Sequence, residues 1–252
     1  MKTLEELDLS KKKYIIFDMD GTLIDSIGIW NEADCRIIDK FAGIKIDYDE
    51  IQKEREWFLE THSNEDIYVA YCDYLIQKYH MNVSKEELIL ERWGSVESIL
   101  KYELTYKPGV PELLQQLKEQ EFTLILATAT TQRQIDIYAN KNIMMVNSVP
   151  FYDTFDFVLR KEDVTYKKPH PEIYLKVLEH YQTTPDLCLV FEDSLHGVIA
   201  AREAGIETIN VYDKYSDKDR LRIDSLTDYK IDSYPEFIDC CLLKKGYQYK
   251  KR

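Results

Sequence analysis

Five apolar runs of strand length limit what this chain can fold into more than any other feature. They are YIIFDMD (14–20), FTLILATA (122–129), FDFVLR (155–160), CLVFED (188–193) and ETINVYD (207–213), and each ends in polar residues. Apolarity that is continuous rather than alternating suits strands covered on both faces, as in a parallel sheet. Amphipathic segments fill the gaps. VPELLQQLKEQ (110–120) has Pro111 near its first turn and Leu113, Leu114 and Leu117 on one face, and HPEIYLKVLEHY (170–181) repeats the pattern with Pro171, Ile173, Tyr174, Val177 and Leu178. SLHGVIAAREAG (194–205) opens at a candidate cap, Ser194, and closes at Gly205. Strand and helix in turn predict an α/β core built on a doubly wound, Rossmann-like parallel sheet.

One stretch breaks the alternation. From 28 to 104 the signals are all helical, the last helix opening at Ser84 with Glu87 three residues on. The expected organisation is therefore a core of residues 1–27 and 105–252 with an all-helical cap domain, 28–104, inserted after the first strand. The dense Tyr, Trp and Leu of the insert read as its own core. Because it begins a few residues after Asp18 and Asp20, the insert is placed to act as a lid.

Composition excludes several functions. A formal charge of −13 repels phosphate polymers, and the short basic run 244–252 reads as a solvated end, so nucleic acid is not expected as a partner. No stretch reaches the roughly 18 apolar residues that would span a bilayer, and residues 1–13 have no signal-peptide core, so a soluble, cytoplasmic protein without a membrane partner is expected. The five cysteines, 35, 72, 188, 240 and 241, lack CxxC spacing, which argues for reduced thiols over a disulfide framework or a zinc site.

Ligands of open α/β sheets bind beyond the carboxyl ends of the strands. The runs deliver Asp18 and Asp20 there, then Thr128 and Thr130, Lys168 in the loop KKPHP, and Glu192 with Asp193. Carboxylates from two strands brought together call for a divalent cation, and hard oxygen donors in small number favour Mg2+. The cation would let the Asp18 carboxylate attack a phosphate dianion and form an aspartyl phosphate. Asp20, two residues on, would share the face of Asp18 on a straight strand and could give a proton to the leaving alkoxide, then take one from water. Gly21 lets the chain turn away. Lys168 offers a point charge for phosphoryl oxygens, Thr128 a hydroxyl, and the N–H groups opening the helix near 131 an anion seat. Glu192 is expected either to ligate the metal through water or, the favoured alternative, to hydrogen-bond locally, Lys167 and His196 to be solvated, and His62 at most to touch substrate.

The motifs FDMDGTLIDS, LATAT, KKPHPEIY and FEDSLHGVIAAREAG together make the chain resemble the haloacid dehalogenase superfamily, in particular its β-phosphoglucomutase-like phosphatases with a helical cap. The resemblance covers nearly the whole chain. It implies that Asp18 is the nucleophile and Asp20 the acid/base. It also implies that Asp18, Asp193 and the Asp20 backbone carbonyl bind Mg2+, and that Thr128, Ala129 and Lys168 bind the phosphate. Sugar phosphomutases of this group are expected to carry a histidine where this chain has Trp30, and basic residues in a cap loop where it offers only Thr61 and His62 after Arg55. The expected activity is hydrolysis of a small phosphorylated metabolite, a sugar or polyol phosphate, by a monomer or weak homodimer. A β-phosphoglucomutase-type mutase is the alternative. A non-catalytic phosphoacceptor module is less favoured, because such modules place the phosphorylated Asp on a later strand and have no long helical insert.

Overall fold

The computed structural model describes residues 1–62 and 66–243. The basic run 244–252 lies outside the described residues. By packing, the chain divides into two compact units, Met1–Ser26 with Leu104–Arg252, and Ile27–Glu103.

The first unit is a six-stranded parallel sheet. Its strands are β1 (Tyr14–Phe17), β2 (Thr123–Ala127), β3 (Phe157–Leu159), β4 (Cys188–Glu192), β5 (Glu207–Val211) and β6 (Tyr229–Ile231), in the order β3-β2-β1-β4-β5-β6. All five neighbouring pairs are parallel, with Phe17 beside both Leu126 and Phe191. The five expected runs all appear as strands. A sixth, β6, was not expected: it is three residues long, with the half-exposed Lys230 between Tyr229 and Ile231, so it lacks the apolar run that marks the others.

Alternate residues of β1 serve the two faces of the sheet. Tyr14 and Ile16 join a core with Ile125, Val190, Ile173, Tyr174 and Val177. Phe17 stacks on Phe191 at 4.8 Å between ring centroids, and Phe191 meets Phe237 edge-on at 5.1 Å. The flanking helices Val110–Glu119, Glu172–Tyr181 and Leu195–Glu203 lie where their leucine faces and prolines place them. Ser194 accepts the Gly197 N–H, and Gly205 takes φ +75°, closing that helix with a left-handed turn. The five cysteines form no disulfide. Among the described residues no helix is long and apolar enough to cross a membrane.

The second unit contains the helices Ile29–Ala42, Tyr48–Thr61, Ile67–Lys78 and Lys85–Tyr102 among the described residues. Its core gathers Ile37, Ile38, Ile51, Phe58, Tyr71, Cys72, Leu75 and Leu88 from all four. Within it Arg92 grips Asp34 through Nε at 2.6 Å and Nη2 at 3.2 Å, with both side chains buried. A buried pair of this kind is costly to break from one side, because the survivor is left charged and dry. Asp34→Ala should therefore cost about 3–5 kcal/mol, read as a lower urea midpoint. A loss below about 1 kcal/mol would mean that Arg92 finds water instead.

Candidate active site

The chain leaves β1 toward β2 and β3, then returns to place β4 on the other side of β1. The reversal opens a crevice beyond the ends of β1 and β4, where ligands of such sheets sit. Asp18 follows β1 directly, and its N–H still bonds Phe191 O at 3.0 Å, so its side chain emerges at the crevice. Glu192 ends β4 and Asp193 comes next. Carboxylate oxygens of Asp18, Glu192 and Asp193 lie within 4.8 Å of one another, and all three residues are buried.

A single ammonium answers them. Lys168 Nζ donates to Asp18 Oδ1 at 2.7 Å, to Glu192 Oε1 at 2.5 Å and to Ala127 O at 3.0 Å. The three bonds use all of its protons. Glu192 is equally committed. Its Oε1 also accepts the Tyr174 hydroxyl at 2.9 Å, and Oε2 accepts from Asp193 N, Ser194 N and Ser194 Oγ at 3.2–3.4 Å. That saturation suits a residue that holds Lys168 in place, in line with the local hydrogen bonding expected of it. It also explains Gly197, where any Cβ would fall 1.9 Å from the Glu192 carboxylate.

Asp18 and Asp193 are left with spare acceptors. Asp18 Oδ1 faces Lys168 and Asp193 Oδ1 accepts the Thr22 hydroxyl at 2.8 Å, while no donor among the described residues is recorded for either Oδ2. Burial pushes the Asp18 carboxyl up to about 7 against the pull of Lys168, with Glu192 adding to the rise. Burial also raises Asp193, followed by the charges of Glu192 and Asp18. Two hard carboxylate oxygens in a dry site with excess negative charge fit a small divalent cation such as Mg2+. Gly21 makes room for this arrangement: at φ +81° it turns the chain after β1, and a Cβ there would meet Asp193 Oδ2 at 2.4 Å.

Asp20 reaches the site by a different path from the one the sequence suggested. Strand pairing stops at Phe17, and the chain folds into a turn in which Leu23 N and Ile24 N both bond Met19 O. The Asp20 carboxylate is held by hydroxyls: Ser26 at 2.5 Å and Tyr138 at 3.4 Å on Oδ1, and a close contact from Thr130 on Oδ2. It still lies near enough to raise Asp18. Thr128 Oγ1 sits 2.8 Å from Thr130 Oγ1 and accepts Thr130 N–H at 3.1 Å, so its hydroxyl belongs to this chain of donors, and Ala129 is exposed beside it. The anion seat expected at the next helix is already occupied. Gln132 N–H bonds the Glu162 carboxylate at 3.2 Å and Gln134 N–H bonds the Thr131 cap at 3.4 Å, so two of its first donors face protein oxygens. His62 lies in the other unit, with its ring stacked on Phe58 at 4.0 Å.

Several participants escaped the sequence reading. Lys107 bonds Gly21 O and pairs with Asp213 at 2.8 Å, while the buried Tyr234 hydroxyl donates to Thr22 O at 3.0 Å. Both brace the turn that presents Asp20. Their distance in sequence, from 21 to 107 and from 22 to 234, leaves no local signal. Ser26 had one, since it lies a few residues from a strand-end aspartate, and Thr130 was read at the end of the second run.

The family of haloacid dehalogenase-like hydrolases matches residues 15–211. The chain belongs to that family. Among its relatives, a phosphorylated carbohydrates phosphatase of Thermotoga maritima is 31% identical over 77% of this chain and 82% of its own length. Hexitol phosphatase B of Escherichia coli K12 is 28% identical over 88% and 92%. A Thermotoga maritima crystal structure provisionally described as a beta-phosphoglucomutase superposes with a TM-score of 0.72 at 26% identity, covering 90% of this chain and 97% of that one.

The charge balance at the crevice has a measurable consequence. With Asp18 raised to about 7 and Asp193 raised as well, these two carboxyls hold more protons in the folded protein without a cation than in the unfolded chain above roughly pH 4, so the stability they contribute falls as pH rises from there through about 7. A divalent cation needs the ionised carboxylates and competes with those protons. Mg2+ at about a hundredfold excess over its Kd should add about 2.7 kcal/mol, roughly 5–10 °C in Tm, at pH 7.5 and less than half of that at pH 5. Equal shifts at the two pH values, or none at either, would remove the cation from this site.

Proposed function

We propose that the protein is a Mg2+-dependent phosphomonoesterase that hydrolyses a small sugar or polyol phosphate by way of a phosphoryl group carried on Asp18. The observation that carries this reading is the placing of Asp18, with one oxygen on Lys168 and the other without a donor, beside Asp193 at the sheet reversal. The named activities of the carbohydrate and hexitol phosphatases support the substrate class.

Asp18 attacks phosphorus, and the bond from phosphorus to the sugar oxygen breaks. Asp20, gripped by Ser26, Thr130 and Tyr138, gives its proton to that departing oxygen. Water then attacks phosphorus, Asp20 takes a proton from it, and the aspartyl phosphate opens to inorganic phosphate and a free Asp18 carboxylate. Lys168 offsets charge on the phosphoryl oxygens, and Glu192 keeps it aimed. Thr128 and Ala129 line the same edge and are assigned to phosphate binding, Thr128 by releasing its hydroxyl from Thr130. Asp18, Asp193 and the Asp20 backbone carbonyl would hold Mg2+, which supplies charge neutralisation between nucleophile and phosphate when bound.

A mutase is the second reading, favoured by the resemblance to the structure described as a beta-phosphoglucomutase. Against it stands Trp30, which has no transferable ring proton pair and is packed edge-on to Trp93 at 5.0 Å with the Arg92 guanidinium 4.6 Å from its ring. Glucose 1-phosphate should thus yield free phosphate rather than glucose 6-phosphate.

The leaving group tests the role of Asp20. p-Nitrophenolate departs without a proton, whereas a sugar alkoxide needs one. Asp20→Ala should lower kcat on a hexitol phosphate by about 10²–10⁴-fold while lowering kcat on p-nitrophenyl phosphate far less. An equal loss on both substrates would show that Asp20 is not the acid.

A further inference from the structure

The turn that follows β1 is clamped by a second lysine, remote in sequence. Lys107 lies on the segment with which the chain re-enters the core unit. Its N–H donates to Leu23 O at 2.8 Å, its neighbour Tyr106 forms an isolated antiparallel bridge with Ile24, and its ammonium bonds Gly21 O. The other two protons of that ammonium go to Asp213 Oδ2 at 2.8 Å and Tyr212 O at 3.4 Å, so the group is spent as completely as that of Lys168. Asp213 is committed too: its side chain is 3% exposed, and its Oδ1 accepts the Tyr215 N–H at 2.9 Å. Arg220 donates to Asp213 O at 2.9 Å and to Asn210 Oδ1 at 2.8 Å, and the Asn210 amide in turn holds Glu192 O at 3.2 Å. Asp217 answers Arg220 at 3.3 Å, so two cations face two carboxylates.

Stability alone does not account for the Lys107–Asp213 pair, because a buried ion pair is often no more stabilising than apolar side chains of the same size. What the pair holds is direction. Gly21 sits at φ +81° between two peptide planes, and a glycine adopts other conformations at little steric cost. The plane before it carries the Asp20 carbonyl. The N–H of that plane is fixed on Ile24 O at 2.9 Å, which points the carbonyl the opposite way because the peptide is trans. The plane after it is fixed by Lys107 on Gly21 O, and the hydroxyl of the next residue, Thr22, donates to Asp193 Oδ1 at 2.8 Å. Tyr234 holds only the following carbonyl, Thr22 O. Released from Lys107, the Gly21 plane is free to rotate, and rotation displaces both the Asp20 carbonyl and the donor that orients Asp193.

We propose that Lys107 is a positioning residue for the cation, holding the Gly21 peptide so that the Asp20 carbonyl and the Asp193 carboxylate stay where Mg2+ would bind them. Asp213 aims the ammonium, and Arg220 with Asn210 fixes the loop that carries Asp213. Asp213 also lies close enough to Asp193 to add to its rise. The proposal rests on the Mg2+ reading of the crevice. A positive charge near a cation site repels the cation, so Lys107 favours the metal only through geometry. The sign of its effect on Mg2+ affinity therefore separates positioning from electrostatics.

Calorimetric titration of Mg2+ into the full-length protein without substrate tests this, with Asp193→Asn as the variant that should lose the site. Lys107→Met should raise the Mg2+ Kd roughly 10- to 100-fold, although loss of a nearby positive charge would by attraction alone lower it. That variant strands Asp213 as a buried charge, so the double variant Lys107→Met/Asp213→Asn carries the decision. It keeps the net charge of the wild type and leaves no carboxylate unpaired. Its Kd should rise by the same factor, with a Tm near that of the wild type. A double variant that binds Mg2+ as tightly as the wild type, or one that unfolds, assigns Lys107 to the fold and overturns the proposal. A lowered Kd in Lys107→Met shows that charge rather than position governs, and overturns it as well. A wild type that binds no Mg2+ defeats the metal reading itself and takes the proposal with it. Because the metal alone is the probe, the result does not depend on which phosphomonoester the protein hydrolyses.

Discussion

Three buried carboxylates crowd the mouth of the sheet and only two of them bond its one ammonium, and much of the core unit can be understood as the means of keeping them there. Lys168 spends all three protons on Asp18, Glu192 and the Ala127 carbonyl. Left to themselves, Asp18 and Asp193 are driven toward their neutral forms by burial and by Glu192. Strand order brings them together, and two glycines let them approach: Gly21 yields space to Asp193, and Gly197 to Glu192. The result is a site whose ground state has an unmet need for positive charge. Binding a cation answers that need, since it neutralises carboxylate charge.

The parts of this arrangement that follow from strand order were legible in the sequence. Residues at the ends of continuous apolar runs must meet at one sheet edge, so Asp18, Lys168, Glu192 and Asp193 could be gathered without coordinates. What depends on side-chain direction inside a turn could not be read. Asp20 seemed to continue a strand, but pairing ends at Phe17 and the carboxylate is gripped by Ser26, Thr130 and Tyr138 instead. The helix opening near 131 seemed a free anion seat, and the distant Glu162 occupies it. Tyr138 gives no signal of its contact with Asp20, because helical spacing shows which face is apolar but not where a phenol oxygen ends. The third strand of the far edge, β6, is too short to carry a pattern at all.

The helical unit shows the same limit from the other side. Its aromatic and leucine content marked it as a packed insert; Phe58, Tyr71, Leu75 and Leu88 lie in its core, whereas Trp57, Trp93, Tyr68 and Leu90 are exposed. Composition, however, gives no sign that the buried Asp34 of one helix is held by Arg92 of another.

The central claim is that the Asp18 carboxylate itself becomes phosphorylated. Rapid acid quenching during turnover of a hexitol phosphate with Mg2+, followed by peptide mass spectrometry, tests it most directly. The account predicts a phosphoryl adduct on the peptide spanning residues 14–26, located at Asp18 and absent from Asp18→Asn. Sustained turnover with no adduct at any time point, or with the phosphoryl group on another residue, would contradict it.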